Sequence, residues 1–458
     1  MAAMVNCMVS GRRMKSRVAG DAEGDGLNLA EQLPRSIQMF LAFEQQNLWR
    51  PERWRNSSVK DQLDRRYLPE SGAIFRLPCF WVERKYLYVY GEYERTSTEL
   101  GIEGGDGPES RVLFPIHPAE LPLYADFLRQ VRALDTRASG VRLWATPTSS
   151  ARTVLAWVDG RPESPILAKL SLRSGPFGDR RIQRGRVARS VGLWRLMQGV
   201  GGGVPAGIRW FPENLGLVPR MVPSAGVIVR SFPAEIKDGK VIAAALFALM
   251  GGSARRSPLL IEMFGSDPRL AWEFIEEVLL MQFAGIWLDL VFRLGVILEA
   301  HGQDLLLGLS PAKAKTGLLY YRDFEGLAVD WELRRAKGLA GVCSLPNVCE
   351  WYRTYETLGY PLHQLVFWKI RTSLFDYVFL VLAELESALG EWCAGGVLTM
   401  TKPWELTLLF SRHMRRAIQD RFGMNENQDY DIRKDLTRFV KFLMRVRAEV
   451  VRASSASR

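Results

Sequence analysis

The chain has 458 residues, of which 47% are hydrophobic and 24% charged. This composition is typical of a globular protein and excludes a disordered one. The formal net charge of +11 fits nucleic acid, an anionic membrane surface or small polyanions such as ATP and polycarboxylates as partners. The five cysteines contain no CxxC pair, so the sequence indicates neither a disulfide framework nor a zinc site, and it favours the cytosol.

Neither a signal peptide nor a membrane span is predicted. The arginines near the N-terminus are not followed by an apolar stretch of signal length. The longest apolar region, residues 271–299, is interrupted by charged side chains that a membrane-spanning helix tolerates only at high cost. These are Glu273, Glu276, Glu277, Asp289 and Arg293. We therefore expect a long helix that is buried on most of its surface, and no membrane partner.

Composition and periodicity divide the chain into four parts. Residues 1–28 are polar and rich in Gly, Ser and Met, which predicts disorder. Residues 29–135 alternate helical patches with the strand-like RKYLYVYGEYE, and residues 136–330 carry further strands. From about residue 241 onward helical patterning dominates, apart from a few short strands, and residues 331–458 form the last part. The pattern predicts an α+β fold with a mixed α/β central part and a mainly helical C-terminal region.

Residues 141–173 have the pattern of a β-hairpin. VRLWATPTSSARTVLAWV is followed by a predicted turn, DGRPESP, and by the strand ILAKLSLR, whose apolar residues alternate from Leu167 to Leu172. AGVIVRSF, residues 225–232, predicts another strand, and DLLLGLS and TGLLYYRDF predict two shorter ones.

Hydroxyl groups and an arginine gather in the first of these segments. They are Thr148, Ser149, Ser150, Arg152 and Thr153. Small hydroxyl residues and an Arg are what a phosphate-binding turn needs, because its donors must converge on non-bridging oxygens. An ordinary Ser/Thr turn before a strand is the alternative interpretation.

Lys169 lies inside the strand ILAKLSLR. A lysine in an alternating strand usually belongs to the solvated face. Across the hairpin it could instead approach Arg152 and the Ser/Thr turn. Two cations placed together without an acid nearby would repel, and such an arrangement would indicate an absent anion.

A basic run and a histidine are further candidates. The run DRRIQRGRVAR contains Arg180, Arg181, Arg184, Arg186 and Arg189. It lacks the interleaved aromatic residues of a nucleic-acid interface, so we expect no nucleic-acid partner. A solvated helix face, or one arginine that reaches a phosphate or carboxylate, is favoured. His117 lies between two prolines that hold its backbone, in a structural or a functional role.

Two polar clusters each follow or precede an apolar segment. EAHGQD contains Glu299, His301, Gln303 and Asp304, and YYRDFEG contains Arg322 and Asp323. Carboxylates and amides at the end of an apolar element are typical of a magnesium–phosphate site. A satisfied core histidine is the alternative for His301. We predict that the two clusters form one site.

In this order, the motifs IHP, TSSART, KLSL with a following Arg, VRSFP, EAHGQD and RDFEG resemble the NRPS-independent siderophore synthetases of the aerobactin-synthetase family. The resemblance covers residues 111–330. It continues through 331–458, where LGYPLHQLVFWKIRTSLFDYVF is similar to the helical C-terminal region of that family. It implies a cupped architecture with fingers-like (29–135), palm-like (136–330) and thumb-like (331–458) domains.

The activity implied by the resemblance is that of an ATP-dependent ligase. Such enzymes adenylate a carboxylate, commonly of citrate, and release pyrophosphate. An amine or alcohol then attacks the acyl-adenylate to give an amide or ester, with AMP as the second product. The resemblance further implies ATP and Mg²⁺ at the site, a polycarboxylate and an amine or alcohol as substrates, a cytoplasmic location and a possible homodimer.

The resemblance also implies roles for individual residues. The ATP phosphates would be contacted by Thr148, Ser149, Ser150, Arg152, Thr153, His301 and Gln303. The α-phosphate and the substrate carboxylate would be bound by Lys169 and Arg181, and the substrate further by His117 and Arg230. Magnesium would be held by Glu299, Asp304 and Asp323. The catalytic residues would be Lys169, Arg181 and His301.

The sequence departs from the family pattern at three points. It has HGQD where the family has HGQN, and residues 29–105 lack the earlier His-Pro motif of the family. The segment SGPFGDRR leaves open whether Arg180 or Arg181 is the site arginine.

Two other functions remain open. The pair AHGQDLLL and RDFEG is also similar to the catalytic and metal loops of small-molecule kinases, and a non-catalytic partner protein could keep the same fold.

Overall fold

The structure is a computed structural model. It describes residues 29–45, 63–100, 102, 111–136, 140–172, 182–200, 203–251, 257–265, 267–339, 361–398, 405–426 and 430–456. The segment predicted to be disordered, residues 1–28, lies outside the described residues, as does the SGPFGDRR segment with Arg180 and Arg181.

Sixteen strands form the sheets of the described part of the chain. They are β1 (Phe75–Leu77), β2 (Cys79–Glu83), β3 (Leu87–Gly91), β4 (Arg111–Pro115), β5 (Leu134–Asp135), β6 (Leu143–Pro147), β7 (Thr153–Val158), β8 (Arg161–Leu170), β9 (Ile208–Trp210), β10 (Leu215–Pro219), β11 (Val227–Ser231), β12 (Ile242–Ala245), β13 (Val296–Ile297), β14 (Leu305–Leu309), β15 (Lys315–Tyr321) and β16 (Ala328–Val329).

The largest sheet has seven strands in the order β1-β6-β7-β8-β11-β10-β3, and all neighbours are antiparallel. A second sheet has the order β12-β14-β15-β9, with β15 and β9 parallel. Smaller sheets pair β13 with β16 and order β4-β2-β5. The predicted strand over residues 225–232 is confirmed as β11, and the two shorter predictions are confirmed as β14 and β15.

The hairpin predicted over residues 141–173 is a three-stranded meander of β6, β7 and β8. The TSSART segment joins β6 to β7. The second turn is shorter than predicted, because β8 already begins at Arg161. Gly160 has a φ of 76°, which glycine adopts without steric cost. A two-residue connection through Asp159 and Gly160 therefore suffices, and residues 161–165 belong to the strand.

Thirteen α-helices accompany the sheets. They are α1 (Arg35–Gln45), α2 (Tyr93–Glu99), α3 (Leu121–Gln130), α4 (Arg184–Gly199), α5 (Ala234–Lys237), α6 (Leu259–Phe264), α7 (Pro268–Phe274), α8 (Phe283–Leu288), α9 (Trp331–Ala336), α10 (Leu362–Tyr377), α11 (Ala383–Ala394), α12 (Leu406–Phe422) and α13 (Leu436–Ala456). This number refers to the ranges given above.

The long helix predicted from the apolar region 271–299 is found, but it runs from Pro268 to Arg293, and the end of that region forms β13 instead. α7 and α8 are continuous through the π-helical segments Ile275–Gln282 and Asp289–Arg293. Its apolar side chains belong to the largest core cluster together with those of α10 to α13. No described helix is both long and apolar enough to cross a membrane. The described elements beyond β16 are all helical, which confirms the mixed α/β fold with a helical C-terminal region.

A separate core cluster lies between the two larger sheets. One face of the seven-stranded sheet contributes Leu155 and Leu167, and the four-stranded sheet contributes Leu306 and Tyr320. Phe40 of α1 packs into the same cluster. The other face of the seven-stranded sheet packs against β2, β4 and α3 in a different cluster. The polar residues described below lie where the core between the two sheets ends.

Candidate active site

The β14–β15 hairpin brings the two polar clusters of the sequence together. Leu305 pairs with Tyr321, so the next residues outward, Asp304 and Arg322, lie opposite each other. The Arg322 amide donates to the carbonyl of Asp304 at 3.0 Å. EAHGQD enters β14 and RDFEG leaves β15 at the same end of the sheet. The prediction of one site from these two clusters agrees with this geometry.

Lys169 and Arg230 lie on one face of neighbouring strands. Lys169 of β8 is opposite Ile228, and Arg230 of β11 is opposite Leu167. Since side chains alternate along a strand, Leu167, Lys169 and Arg230 share a face. Lys169 is 2% exposed and Arg230 is 3% exposed. The interpretation of Lys169 as part of a solvated strand face is therefore wrong.

Carboxylates surround these two cations. Nζ of Lys169 donates to both carboxylate oxygens of Asp323, at 2.6 and 2.7 Å, and to Oε2 of Glu325 at 3.1 Å. Nη2 of Arg230 lies 3.1 Å from Oδ1 of Asp323, and Nη1 of Arg186 lies 3.0 Å from Oε1 of Glu325. The expectation of cations without a nearby acid is wrong, because the RDFEG loop supplies two.

The pKa values of these carboxyl groups follow from their neighbours. Burial raises the pKa of Asp323, but the charges of Lys169, Arg230 and Arg152 outweigh burial and hold it well below its usual range. Glu325 shows the same balance. Burial raises its pKa, and the charge of Lys169 brings it below the ordinary value. Both groups are therefore carboxylates at neutral pH, and they neutralise the cations of β8 and β11.

Glu299 and Asp304 have the opposite environment. Burial raises the pKa of Asp304 well above its usual value, and the negative charges of Asp323 and Glu299 raise it further. Burial and the charge of Asp323 likewise raise the pKa of Glu299. Arg322 offsets part of this repulsion, since its Nε lies 4.0 Å from Oδ1 of Asp304. A cation added next to Asp304 would relieve it.

The backbone of the RDFEG loop is held in an unusual conformation. Asp323 has a φ of 75°, a left-handed value that few residues other than glycine adopt. The hydroxyl of Tyr321 donates to the carbonyl of Asp323 at 3.1 Å. The ring of Phe324 packs against Trp194 and Trp210, with centroid distances of 5.6 and 5.8 Å. These contacts fix the direction in which the Asp323 carboxylate points, and such strain is frequent at functional sites.

The TSSART turn reaches the same region through Ser149. Its hydroxyl donates to Oε2 of Glu44 at 2.8 Å and accepts from Nε2 of Gln303 at 3.1 Å. Nη2 of Arg322 donates to Oε1 of Glu44 at 3.0 Å. Glu44 at the end of α1 thus links the turn to the RDFEG loop. Thr148 instead closes its own turn, since Oγ1 donates to the carbonyl of Thr153 at 2.8 Å.

The register of β7 against β8 places Arg152 near Lys169. Thr153 is opposite Lys169, and the carbonyl of Arg152 accepts from the amide of Leu170 at 2.8 Å. The charge of Arg152 is one of those that lower the pKa of Asp323. The carbonyl of Ser150 accepts from the amide of Thr153 at 3.0 Å within the turn. The charge of Arg152 thus acts on the RDFEG loop, while a contact between Arg152 and Lys169 stays a prediction.

His301 is buried beside the clusters. Nδ1 accepts from the amide of Gln303 at 3.2 Å, and the ring meets Phe247 edge-on at 5.0 Å. Because Nδ1 is an acceptor, the proton of the neutral ring is assigned to Nε2. The imidazole is thus held in one tautomer, in the loop that also carries Gln303 and Asp304.

His117 lies next to Ala151 of the TSSART turn. Its Nδ1 accepts from the amide of Ala119 at 3.2 Å, and its ring packs edge-on against Tyr67 at 5.1 Å. It is 1% exposed, and burial lowers its pKa to about 4, although the carbonyl of Ala151 favours the protonated ring. These contacts favour the structural alternative for His117.

We expect His117 to make stability depend on pH. Its folded pKa of about 4 lies below the ordinary 6.5, so the unfolded chain binds the proton more tightly. The contribution is complete above pH 6.5 and is lost as the pH falls towards 4, by about 3 kcal/mol in all. Urea unfolding at several pH values measures it. The His117→Asn variant keeps an acceptor for the Ala119 amide and should show a flatter pH profile. An equally steep profile would contradict this account.

The described residues contain no group of three acidic, histidine or cysteine side chains arranged to hold a metal ion. Of the predicted trio, Asp323 pairs with Lys169 and Arg230, so its place beside Glu299 and Asp304 at a metal ion stays a prediction. Glu299 and Asp304 still fit magnesium as partial ligands, since Mg²⁺ in nucleotide sites uses one or two carboxylates with phosphate oxygens and water.

A substitution at Gly326 tests whether Glu299 helps to bind magnesium. A Cβ at Gly326 would collide with Oε2 of Glu299 and lie 3.0 Å from its Cβ. We expect Gly326→Ala to displace the Glu299 carboxylate, to weaken the binding of added magnesium and to lower stability, because the Glu299 side chain must shift. Gly390→Ala in α11 is the matched control. Its added Cβ meets nothing within 4 Å, so it should leave turnover unchanged and add up to about 1 kcal/mol of stability. Wild-type magnesium dependence in Gly326→Ala would remove Glu299 from the site.

Several charged residues of the site were not predicted from the sequence. They are Glu44, Arg186, Glu213 and Glu325. Glu44 had a signal, because it lies on the apolar face of α1 with Ile37, Phe40 and Leu41 at helical spacing. Arg186 was one of five arginines in a basic run, and nothing distinguished it from the others. The predicted site residue Arg181 lies outside the described residues.

Comparison of the sequence with family models finds no match, and comparison with curated proteins finds none. Solved structures do match. The petrobactin biosynthesis protein AsbB from Bacillus anthracis is 13% identical with a TM-score of 0.54, and the alignment covers 83% of this chain and 64% of AsbB. ATP-bound aerobactin synthetase IucA from Klebsiella pneumoniae is 15% identical with a TM-score of 0.55, and covers 86% of this chain and 73% of IucA.

This chain has the fold of these two proteins. At the level of the fold, the resemblance to the NRPS-independent siderophore synthetases predicted from the motifs is confirmed. The chain spans less than two thirds of the length of AsbB and about three quarters of that of IucA.

Proposed function

We propose that this protein is an ATP-dependent ligase. It adenylates one carboxylate of citrate or a related polycarboxylate and condenses the acyl group with an amine or alcohol, releasing AMP and pyrophosphate. The observation that carries the proposal is the buried cation pair Lys169 and Arg230, which faces the RDFEG loop beside the TSSART turn. Its support from comparison is the fold shared with ATP-bound IucA.

Fixed cations are what adenylation needs. In the transition state, negative charge develops on the oxygens of the α-phosphorus, and preorganised positive groups stabilise that charge more than the ground state. We assign this role to Lys169, with Arg152 beside it. The carboxylates of Asp323 and Glu325 keep Lys169 extended across the sheet face. An incoming phosphate would share or replace these contacts.

The remaining site residues have assigned roles in the same proposal. The ATP phosphates would be contacted by Ser149 and Gln303, which are hydrogen-bonded to each other, and by Ser150 and Thr153. Thr148 would shape the turn. His301 would donate from Nε2 to a phosphate oxygen. Arg230 would bind a carboxylate of the substrate, together with Arg181.

Magnesium fits the proposal through Glu299 and Asp304. When bound, it would neutralise phosphate charge and allow a nucleophile to approach. The contribution of the chain is to hold two carboxylates near the phosphates, with Arg322 keeping Asp304 oriented from 4.0 Å. Asp323 would enter the set if its contact with Lys169 were exchanged for one with a phosphate.

The architecture is proposed in the same terms. Residues 29–135 would form the fingers, 136–330 the palm and 331–458 the thumb of a cupped molecule. The position of every described strand before residue 330, with only helices among the described elements after it, supports the boundary between palm and thumb. We also propose a cytoplasmic enzyme that forms a homodimer and uses neither nucleic acid nor membrane as a partner.

Pyrophosphate release tests the proposed function. ATP would be combined with citrate, 2-oxoglutarate and half-amide intermediates, each crossed with polyamines and amino acids. We expect release that requires both ATP and a polycarboxylate. Hydroxylamine in place of the amine should trap a hydroxamate, which separates activation from condensation. ADP as the product would indicate the kinase-like alternative, and absence of ATP binding would indicate a non-catalytic partner protein.

A further inference from the structure

Glu213 is a buried carboxylate that the proposed reaction does not use. It precedes β10 and is 0% exposed. Its Oε1 accepts from Nε of Arg230 at 2.5 Å, and its Oε2 accepts from the hydroxyl of Ser190 on α4. Burying a carboxylate is costly unless it is paired and hydrogen-bonded, and here both oxygens have partners.

Asn214, the next residue in the chain, likewise forms hydrogen bonds to β11 and to α4. Nδ2 of Asn214 donates to the hydroxyl of Ser231 at 2.8 Å, and its Oδ1 accepts from Nε1 of Trp194 at 2.9 Å. The hydroxyl of Ser231 in turn donates to Glu99 on α2 at 2.5 Å. Glu213 and Asn214 are thus bonded to the consecutive pair Arg230 and Ser231.

One helix supports both bonds. Ser190 and Trp194 are one turn apart on α4, so they lie on the same side of the helix. Ser190 holds Glu213, and Trp194 holds Asn214 while its ring packs against Phe324 of the RDFEG loop. The helix, the two strands and the loop are therefore connected through buried polar contacts at the base of Arg230.

The hydrogen bond to Glu213 fixes the orientation of the Arg230 guanidinium. Nε is occupied by Glu213, whereas Nη2 lies 3.1 Å from Oδ1 of Asp323 on the site side. A guanidinium has a rigid planar fork, so fixing Nε also fixes the plane in which its terminal nitrogens present their protons. The other end can then offer a bidentate surface to an incoming carboxylate.

We propose that Glu213 is a positioning residue for Arg230, and that with Ser190 it orients the guanidinium towards the substrate carboxylate. This rests on the proposed function, in which Arg230 binds that carboxylate. It assigns substrate selection to the buried pair of Glu213, just before β10, and Arg230 of β11, which α4 supports through Ser190.

Steady-state kinetics test the proposal. Glu213→Ala should raise the KM for the polycarboxylate by about 10²-fold, the usual effect of a small misplacement of a binding group, while the KM for ATP stays unchanged. Glu213→Gln keeps an acceptor for Nε of Arg230 and a partner for Ser190, so it should recover most of the loss. An equal change in both KM values, or no recovery in Glu213→Gln, would overturn the assignment.

Asp330→Asn is the matched control for a merely structural effect. Asp330 is 2% exposed and forms a buried pair with Arg447, at 2.6 and 2.8 Å, between α9 and α13. It should lower stability without altering the KM for the polycarboxylate. If both variants raise that KM equally, the effect of Glu213 is on folding, and the proposal fails.

A readout without catalysis separates this inference from the proposed function. The Nε–H resonance of Arg230, assigned by its loss in Arg230→Lys, should be shifted and protected from exchange in the wild type. In Glu213→Ala it should move to the position of exposed arginines. An unchanged resonance overturns the inference whatever the activity. The predicted shift in Glu213→Ala, for a protein that releases no pyrophosphate, supports the positioning of Arg230 and refutes the ligase activity.

Discussion

Lys169→Ala is expected to lower the rate of pyrophosphate release by about 10²–10³, the usual effect of removing one positioned charge donor. The ammonium of Lys169 lies 2.6 and 2.7 Å from the two carboxylate oxygens of Asp323 in the RDFEG loop. Arg152 and Arg230 remain in the variant, but neither side chain replaces an ammonium on β8. The variant would be assayed at saturating ATP and polycarboxylate.

The same substitution should also lower stability. Lys169 is buried, and its loss leaves Asp323 and Glu325 with fewer opposite charges, a change that costs on the order of 3–5 kcal/mol in buried pairs. Arg230 and Arg186 still pair with these carboxylates, so the lower end is expected. Urea unfolding measures this cost.

Lys315→Ala is the control for removal of a lysine from an ion pair. Lys315 pairs with Glu277, and both side chains are about half exposed. A pair in water contributes little, so neither turnover nor stability should change appreciably. Near-normal turnover in Lys169→Ala, at saturating substrate, would show that Lys169 is a structural ion-pair partner and not part of the reaction site.

Asp304→Ala is expected to reduce turnover severely, on the order of 10²-fold, with a marked increase in the magnesium concentration needed. Asp304 lies in a field of negative charge from Asp323 and Glu299. A charged oxygen is a stronger ligand for a hard cation than the neutral oxygen of the family's asparagine. The neutral oxygen of an asparagine is still a magnesium ligand, so Asp304→Asn should be tolerated or should only shift the magnesium requirement.

The measurement is the magnesium dependence of pyrophosphate release for the wild type, Asp304→Asn and Asp304→Ala. We expect the alanine variant to be the weakest, and Asp304→Asn to follow the wild type or to need more magnesium for the same rate. Three superimposable curves would place Asp304 in a purely structural role, as a partner of Arg322 at the end of β14.

The convergence of EAHGQD and RDFEG was predictable because it is local. An antiparallel pair brings the start of one strand next to the end of the following one, and only a short turn separates β14 from β15. The pairing of Thr153 with Lys169 was predictable for the same reason, since β7 and β8 are consecutive strands. In both cases the contact joins two consecutive antiparallel strands, whose register is set by the turn between them.

The acids that face Lys169 were not predictable from local pattern. Asp323 is 154 residues away in sequence, and the contact exists because two sheets pack around one core. The sequence therefore suggested two neighbouring cations that bind an absent anion. The structure instead places the carboxylates of Asp323 and Glu325 beside Lys169. Glu213 follows a proline and precedes an apolar strand, and neither feature signals a buried ion pair with Arg230.

The predicted trio of metal ligands shows a second limit. Sequence can place Glu299, Asp304 and Asp323 in one region, but it cannot divide carboxylates between metal and cation partners. Here the left-handed backbone at Asp323 and the hydroxyl of Tyr321 direct one carboxylate to Lys169. That division depends on side-chain direction, which hydrophobic periodicity does not encode.

The fate of the carboxylate oxygen tests the central claim most directly. Wild-type protein would be incubated with ATP, magnesium, an amine and a polycarboxylate labelled with ¹⁸O in its carboxyl groups. Adenylation joins a carboxylate oxygen to the α-phosphorus, so attack by the amine should leave one ¹⁸O in AMP, detected by mass spectrometry, with unlabelled pyrophosphate. Label in inorganic phosphate with ADP as the nucleotide product would show transfer of the γ-phosphoryl group and would contradict the account.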